Sequence, residues 1–394
     1  MDKAPAAGEN IAVLRKARGL GQTKCARMMG ISVSYLKKIE GAQRPVTPPV
    51  AAAASKALHV TTGRIYGQPF RSPLEQADHL HALRLAVRRH TLPSEDTPPQ
   101  GELAVGLQTA AQLRADTKYL ELLRILPRLL GQATATALDA GGDAIAWGQV
   151  ADLYGCAYAV AHRMGEYDLA DMIVSRQSWA AQRTWNPDAE AATAWNLAGT
   201  FQSAGQYDEG LAIVEQAISQ YEQARGSGAD HIVTLGSLHL RGVVLASRNR
   251  DEHATDDHLR HAKRLATQLG DDGDLLRHNL TFGAGNTALY ELAAHIELDR
   301  PDRAVEMSDP LKDNPPRGLA ASRIGRLCID GARAALATHH LDEAERWLNR
   351  AFAVAPQMTQ IHPMSREVIR VLFVMHQRSR PALLAMAKRT GLTD

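Results

Sequence analysis

A short motif recurs at steps of roughly 40 to 50 residues and constrains the fold more than any other feature of the chain. It reads GEYDLA at 165–170, GQYDEG at 205–210 and HLDEA at 340–344, with looser copies RDEHAT at 250–255 and DRPDRA at 299–304. Each copy lies between two runs of helical periodicity, such as 189–204 and 207–224, or 320–338 and 341–355 followed by Pro356. A helix on either side of a polar break, repeated at this spacing, describes stacked helical hairpins. No hairpin buries its apolar face alone, so each needs its neighbours. Ala and Leu with Arg and Glu favour helix, and long β-branched runs are nearly absent, so the expected class is all-α. Five repeats are expected, with helices in 102–138 and 363–390 capping the array and an uncertain register between 230 and 310.

The first 71 residues carry no such repeat. They hold twelve Lys/Arg against three acids, a net +9 that leaves −7 for the rest of a chain whose total is +2. A basic head on an acidic body suits a polyanionic partner, although an ordinary basic surface would give the same count. Helices are expected at 9–18, 22–29, 33–40 and 50–58, with a short turn at Thr62–Tyr66. Gly19, Gly30 and Gly41 punctuate them, Ser32 caps the third, and Pro45, Pro48 and Pro49 delay the fourth. Pro-, Gly- and Ser-rich stretches at 67–73 and 91–101 bracket an amphipathic helix at 74–90, with Leu80, Leu83 and Val87 apolar. The chain is therefore expected to divide into a head, 1–71, a connector, 72–101, and a repeat body, 102–394.

The string LRKARGLGQTKCARMMGISVSYLKKIEGAQRP resembles the phage-repressor-type helix-turn-helix of the XRE family. The resemblance covers residues 9–66 and implies a five-helix DNA-binding head. A helix fits the major groove, and residues at its exposed N-terminal end reach base edges. By resemblance these are Val33, Ser34 and Lys38, with Ser32 and Lys37 nearby, although Ser34 also suits a second cap and Lys37 a solvated charge. Val33 stands where the family often has a polar reader. Gln22 would contact phosphate at the start of the second helix, with Thr23, Lys24 and Arg44 along the backbone. The same resemblance implies a structural ion pair between Arg15 and Glu40.

The repeats are similar to tetratricopeptide repeats, though longer than that family's norm. The pattern falls on Ala194, Leu197, Ala198, Phe201, Tyr207, Gly210 and Ala217, and again on Ala332, Ala344, Ala351 and Pro356. That resemblance implies a right-handed helical solenoid whose first helices line a concave groove. Asn196, Arg241, Asn286, Arg326 and Asp330 fall on those helices. They are candidates for holding a peptide backbone or a carboxylate, or equally for solvated or intra-repeat positions. The two-part layout is similar to quorum-sensing regulators of Gram-positive bacteria, and the Ala- and Arg-rich composition resembles high-GC actinomycetes. A homodimer on an inverted-repeat operator, tuned by a peptide or small-molecule effector, is the implied function. A DNA-binding adaptor controlled by a docking protein is the alternative.

Little else reads as chemistry. GAGNTA at 283–288 follows no expected strand, and DDGD at 271–274 lacks the rest of a calcium loop. His258 and His261 have no third ligand at recognisable spacing, so no metal or cofactor is expected, and no enzyme motif appears. Trp147, Trp179, Trp195 and Trp347 read as core. Cys25, Cys156 and Cys328 are too dispersed for a disulfide framework, and no apolar run reaches membrane-spanning length. A cytoplasmic protein is expected.

Overall fold

The computed structural model describes residues 6–69, 74–93, 95–99, 101–141, 143–224, 226–270, 273–312, 314–376 and 380–393. Residues 70–73 at the junction of head and connector, and Asp271 and Asp272 of the acidic turn, lie outside them. The architecture is all-α, with one two-stranded hairpin.

The head comprises α1 (Ala7–Ala17), α2 (Gln22–Met28), α3 (Val33–Glu40), α4 (Pro48–Leu58) and α5 (Thr62–Tyr66). Ser32 Oγ accepts the Tyr35 amide at 3.1 Å and starts α3, while Gly30, at φ 66°, makes the turn before it. Pro48 opens α4 rather than delaying it, because first-turn amides have no intrahelical partner to lose. Ile11, Cys25, Ala26, Leu36, Ile39, Leu58 and Ile65 form a compact core. Gly8 lets α1 press on α3, since a Cβ there would stand 2.1 Å from the Ile39 carbonyl oxygen.

The connector helix α6 (Leu74–Arg88) is built into the body, with Leu80, Leu83 and Val87 buried and packed chiefly on α8 (Tyr119–Asp139), which also carries α7 (Glu102–Ala115). Five helical hairpins follow: α9 (Ala144–Met164) with α10 (Tyr167–Ala181), α11 (Pro187–Ala204) with α12 (Tyr207–Gln223), and α13 (Gly228–Arg248) with α14 (Glu252–Gln268). Then come α15 (Ala284–Glu297) with α16 (Pro301–Ser308), and α17 (Ala321–Ala337) with α18 (Leu341–Val354). Helices α19 (Pro356–Ile361), α20 (Pro363–Met375) and α21 (Pro381–Arg389) close the array.

The recurring motif is the turn inside each hairpin. Every copy places one residue in the left-handed region: Gly165, Gly205, Arg250, Asp299 and His339, at φ 81°, 77°, 61°, 61° and 64°. That conformation ends one helix and aims the next back along it. Small residues permit the close approach, as at Gly210, where a Cβ would lie 2.8 Å from Leu245 Cδ2. Leu197, expected to fill such a gap, is 37% exposed and does not.

One expectation fails between 270 and 290. An antiparallel hairpin, β1 (Leu275–Arg277) and β2 (Leu280–Phe282), precedes α15, so GAGNTA does follow a strand. Phe282 is fully buried against Gly236 of α13, which has no Cβ to obstruct its ring. The helix start is not left open for a phosphate. Asp274 Oδ1 accepts the Asn286 amide at 2.8 Å and takes the place an anion would need.

Candidate nucleic-acid interface and inner cavity

Glu40, at the end of α3, ties the first three helices of the head together. Arg15 Nε donates to Glu40 Oε1 at 2.7 Å and its Nη2 donates to Oε2 at 3.0 Å, while both side chains are more than 90% buried. Gln22 Nε2 donates to the same carboxylate at 2.7 Å, so its amide holds α2 to α3 rather than standing free for a phosphate. Burial alone would raise the Glu40 carboxyl; the bonds from Arg15 and Gln22 outweigh it and hold the group below its ordinary value. Thr23, Lys24, Ser32, Ser34, Lys37 and Lys38 are exposed, and Val33 and Arg44 are half-buried.

The head lies along the turns of the array. Thr62 Oγ1 donates to the Ser203 carbonyl, Tyr167 Oη donates to Gln68 Oε1 at 2.7 Å, and the Val46 amide donates to buried Glu367 at 2.9 Å. Gly205 touches Ala52, and Gly165 touches Gln68. Towards the C-terminal repeats the fit opens. A cleft of about 570 Å³ separates the head from the body, with Ser32, Ser34, Tyr35, Lys38 and Arg44 on one wall and Arg250, Asp299, Arg333 and His339 on the other. Ser34 and Lys38 thus point into a space bounded by the chain itself, whereas Val33 and Lys37 do not line it.

A second cavity, of about 160 Å³, lies inside the body. Asn196, Arg241, Asn286, Arg326 and Asp330 all line it, but their polar groups are partly committed. Asn196 Nδ2 donates to Gln177 at 2.8 Å, and Asn286 Nδ2 to the Thr281 carbonyl at 2.6 Å. Asp330 is taken on both oxygens, by Arg326 Nε at 2.6 Å and Arg333 Nη1 at 3.0 Å. Arg333 also donates to Glu297 at 3.0 Å, which makes a buried ionic chain. Arg241 Nη1 donates to Gln202 at 2.7 Å, and its guanidinium stacks 3.5 Å above the Trp195 ring. Trp195 packs against the core and also forms a wall of the cavity. Sequence reasoning also missed Arg114, Arg163, Arg248, Arg323, Tyr158 and Tyr290, which come from five helices and meet only in the folded chain.

A smaller cavity between head and body shares His162, Arg163, Gln202, Arg248 and Arg326 with the inner one, and has Ala51, Thr62 and Tyr66 of the head on its far wall. His239 completes a cluster with His258 and His261, its Nδ1 3.0 Å from that of His258. Among the described residues, no group of three or more His, Cys, Asp or Glu has the arrangement of a metal site, and no helix is long and apolar enough to cross a membrane. Cys25, Cys156 and Cys328 are buried and unbridged.

Helices α1 to α5, from Ala7 to Tyr66, form a helix-turn-helix domain. Residues 6–64 match the family described as a helix-turn-helix domain. No curated protein matches the chain. Among solved structures, BtubC from P. vanneervenii superposes with a TM-score of 0.41 at 14% identity, covering 67% of this chain and 95% of that one. PlcR from Bacillus thuringiensis, solved with the peptide PapR7 and DNA, gives 0.33 at 17% identity over 67% of this chain and 95% of its own. A PrgX mutant gives 0.34 at 12% identity over 84% and 95% respectively.

Proposed function

We propose that the chain is a sequence-specific DNA-binding transcription regulator whose body holds the head partly closed and responds to an effector in the inner cavity. In this reading residues 1–71 bind DNA, 72–101 connect, and 102–394 bind the effector and pair two chains on an inverted-repeat operator in the cytoplasm. The observation that carries it is the position of Ser34 and Lys38. Both stand on the exposed face of a helix-turn-helix reading helix, yet they face the body across a cleft. A major groove about 12 Å wide cannot receive that face until the body is moved aside. The closed arrangement supplies two states, and an effector that favours one of them shifts DNA affinity.

The test is a duplex selected by the full-length chain from a random pool, followed by titration. Lys38→Ala should weaken binding by about 1–3 kcal/mol and relax preference at one base pair. Glu367→Gln, which weakens the hold on Val46, should tighten binding. Unchanged affinity and preference in Lys38→Ala would refute the assigned reading face, and weaker binding in Glu367→Gln would refute the closed state.

A further inference from the structure

Six arginines line the inner cavity: Arg114 of α7, Arg163 of α9, Arg241 and Arg248 of α13, and Arg323 and Arg326 of α17. Among the described residues, the acid in its wall is Asp330, already shared by Arg326 and Arg333. Arg248 approaches Glu297 at 3.7 Å. Among the described residues, no carboxylate lies within ion-pair distance of Arg114, Arg163, Arg241 or Arg323. Arg163 lies beside Tyr119 and Arg323 beside Tyr290, and among the described residues the buried Nε atoms of Arg114, Arg241 and Arg248 have no hydrogen-bond partner.

Arg241 is buried and the other five are half-buried, so these guanidiniums repel one another with reduced hydration, an unfavourable arrangement until an anion joins them. Neighbouring groups register the potential. Burial would raise the Tyr290 phenol, yet Arg323 and Arg241 hold it below its ordinary value. Burial, reinforced by Arg163 and Arg241, pushes His162 down to about 3. Guanidinium forks match carboxylate and phosphate oxygens in geometry as well as charge.

We infer that the inner cavity binds a compact, multiply negative small molecule, held by Arg114, Arg163, Arg241 and Arg323 through phosphate or carboxylate oxygens. This rests on the reading of the cavity as the effector site and names the chemistry of the effector. A neutral extended peptide would leave the four cations unmatched.

The test uses the full-length chain without DNA, so its failure leaves the DNA-binding reading standing. Sodium pyrophosphate and trisodium citrate are titrated in separate arms, by calorimetry and by thermal melting, against sodium chloride of equal ionic strength. Either anion should bind and raise Tm beyond the chloride control. A response to pyrophosphate alone assigns a phosphate ligand, and to citrate alone a polycarboxylate. Arg323→Gln should weaken binding about tenfold or more, while Arg323→Lys, which keeps the charge but loses the fork, should fall between Arg323→Gln and the parent. Arg114→Gln should also weaken binding, yet raise the Tm of the unliganded chain, because it removes an unmatched charge. A purely structural Arg114 would lower it. No binding of either anion, or equal binding by Arg323→Gln and the parent, overturns the inference.

Discussion

The first two turns of the array and the last three share a backbone conformation and differ in everything that touches the head. At Gly165 and Gly205 the left-handed turn carries no side chain, and the head packs directly on it. A Cβ would come 2.8 Å from Gln68 Cβ at the first and 2.7 Å from Ala52 Cβ at the second. At Arg250, Asp299 and His339 the same conformation is adopted by residues that dislike it, and their side chains line the cleft beneath α3. The first two turns meet the head directly at Ala52 and Gln68, whereas the last three face α3 across the cleft and approach the head only at its edge, where Arg44 Nη2 lies 3.5 Å from His339 Nε2. Tightness at one end and space at the other would let the head pivot without coming free.

The largest effect should come from breaking the tight half. Gly205→Val adds a branched side chain at φ 77° and drives it into Ala52. We expect a loss of about 2–4 kcal/mol in urea unfolding, from backbone strain and overpacking together. We also expect faster proteolysis at the connector. A variant as stable as the parent would mean that the head does not rest on this turn.

Acid should loosen the same half by a different route. His162 and His362 lie between the inner cavity and the head, and burial followed by nearby arginines pushes the first to about 3 and the second well below its ordinary value. Both stay neutral in the folded chain but take up a proton when unfolded near 6.5. Their contribution is therefore present above about pH 6.5 and falls as pH drops towards the folded values. The slope is about 1.4 kcal/mol per pH unit for each histidine. Urea midpoints from pH 7 to pH 5 would measure it, and His162→Gln should flatten the curve by one proton. An unchanged curve in that variant would remove His162 from the account.

The loose half should respond least. Asp299→Gly relieves an unfavourable φ but gives back part of the gain as chain entropy, for a net stabilisation of about 0.5 kcal/mol. Thermal melts should show a small rise, whereas a clear fall would show that the Asp299 side chain holds the cleft.

The two halves also differ in how far the sequence discloses them. The turns were legible because the motif repeats and the helices around it keep their period. α3 was legible at Val33–Glu40 because Ser32 and Gly41 bracket it. The docking of the head was not, since Thr62 and Ser203, or Val46 and Glu367, are distant partners with no local signature. The hairpin at 275–282 escaped notice because strands of three residues show no alternation. Its anchor, Phe282, makes sense only opposite Gly236. Asn196 and Arg241 could be placed on the groove by repeat position. The charge of that groove emerged only when Arg114, Arg163 and Arg323 met them.

Five residues, among them Arg163, Arg248 and Arg326, belong at once to the wall of the inner cavity and to the wall behind the head. On the proposed function, a ligand's charge and the position of the head would be sensed by the same side chains. Linkage then runs in both directions. Whatever factor an effector imposes on DNA affinity, DNA must impose on effector affinity. A regulator seated on its operator would read a different effector threshold from the same molecule adrift in the cell. The concentration at which a promoter switches would belong to the protein–DNA assembly, and a dose–response curve measured on the free chain would be displaced from it.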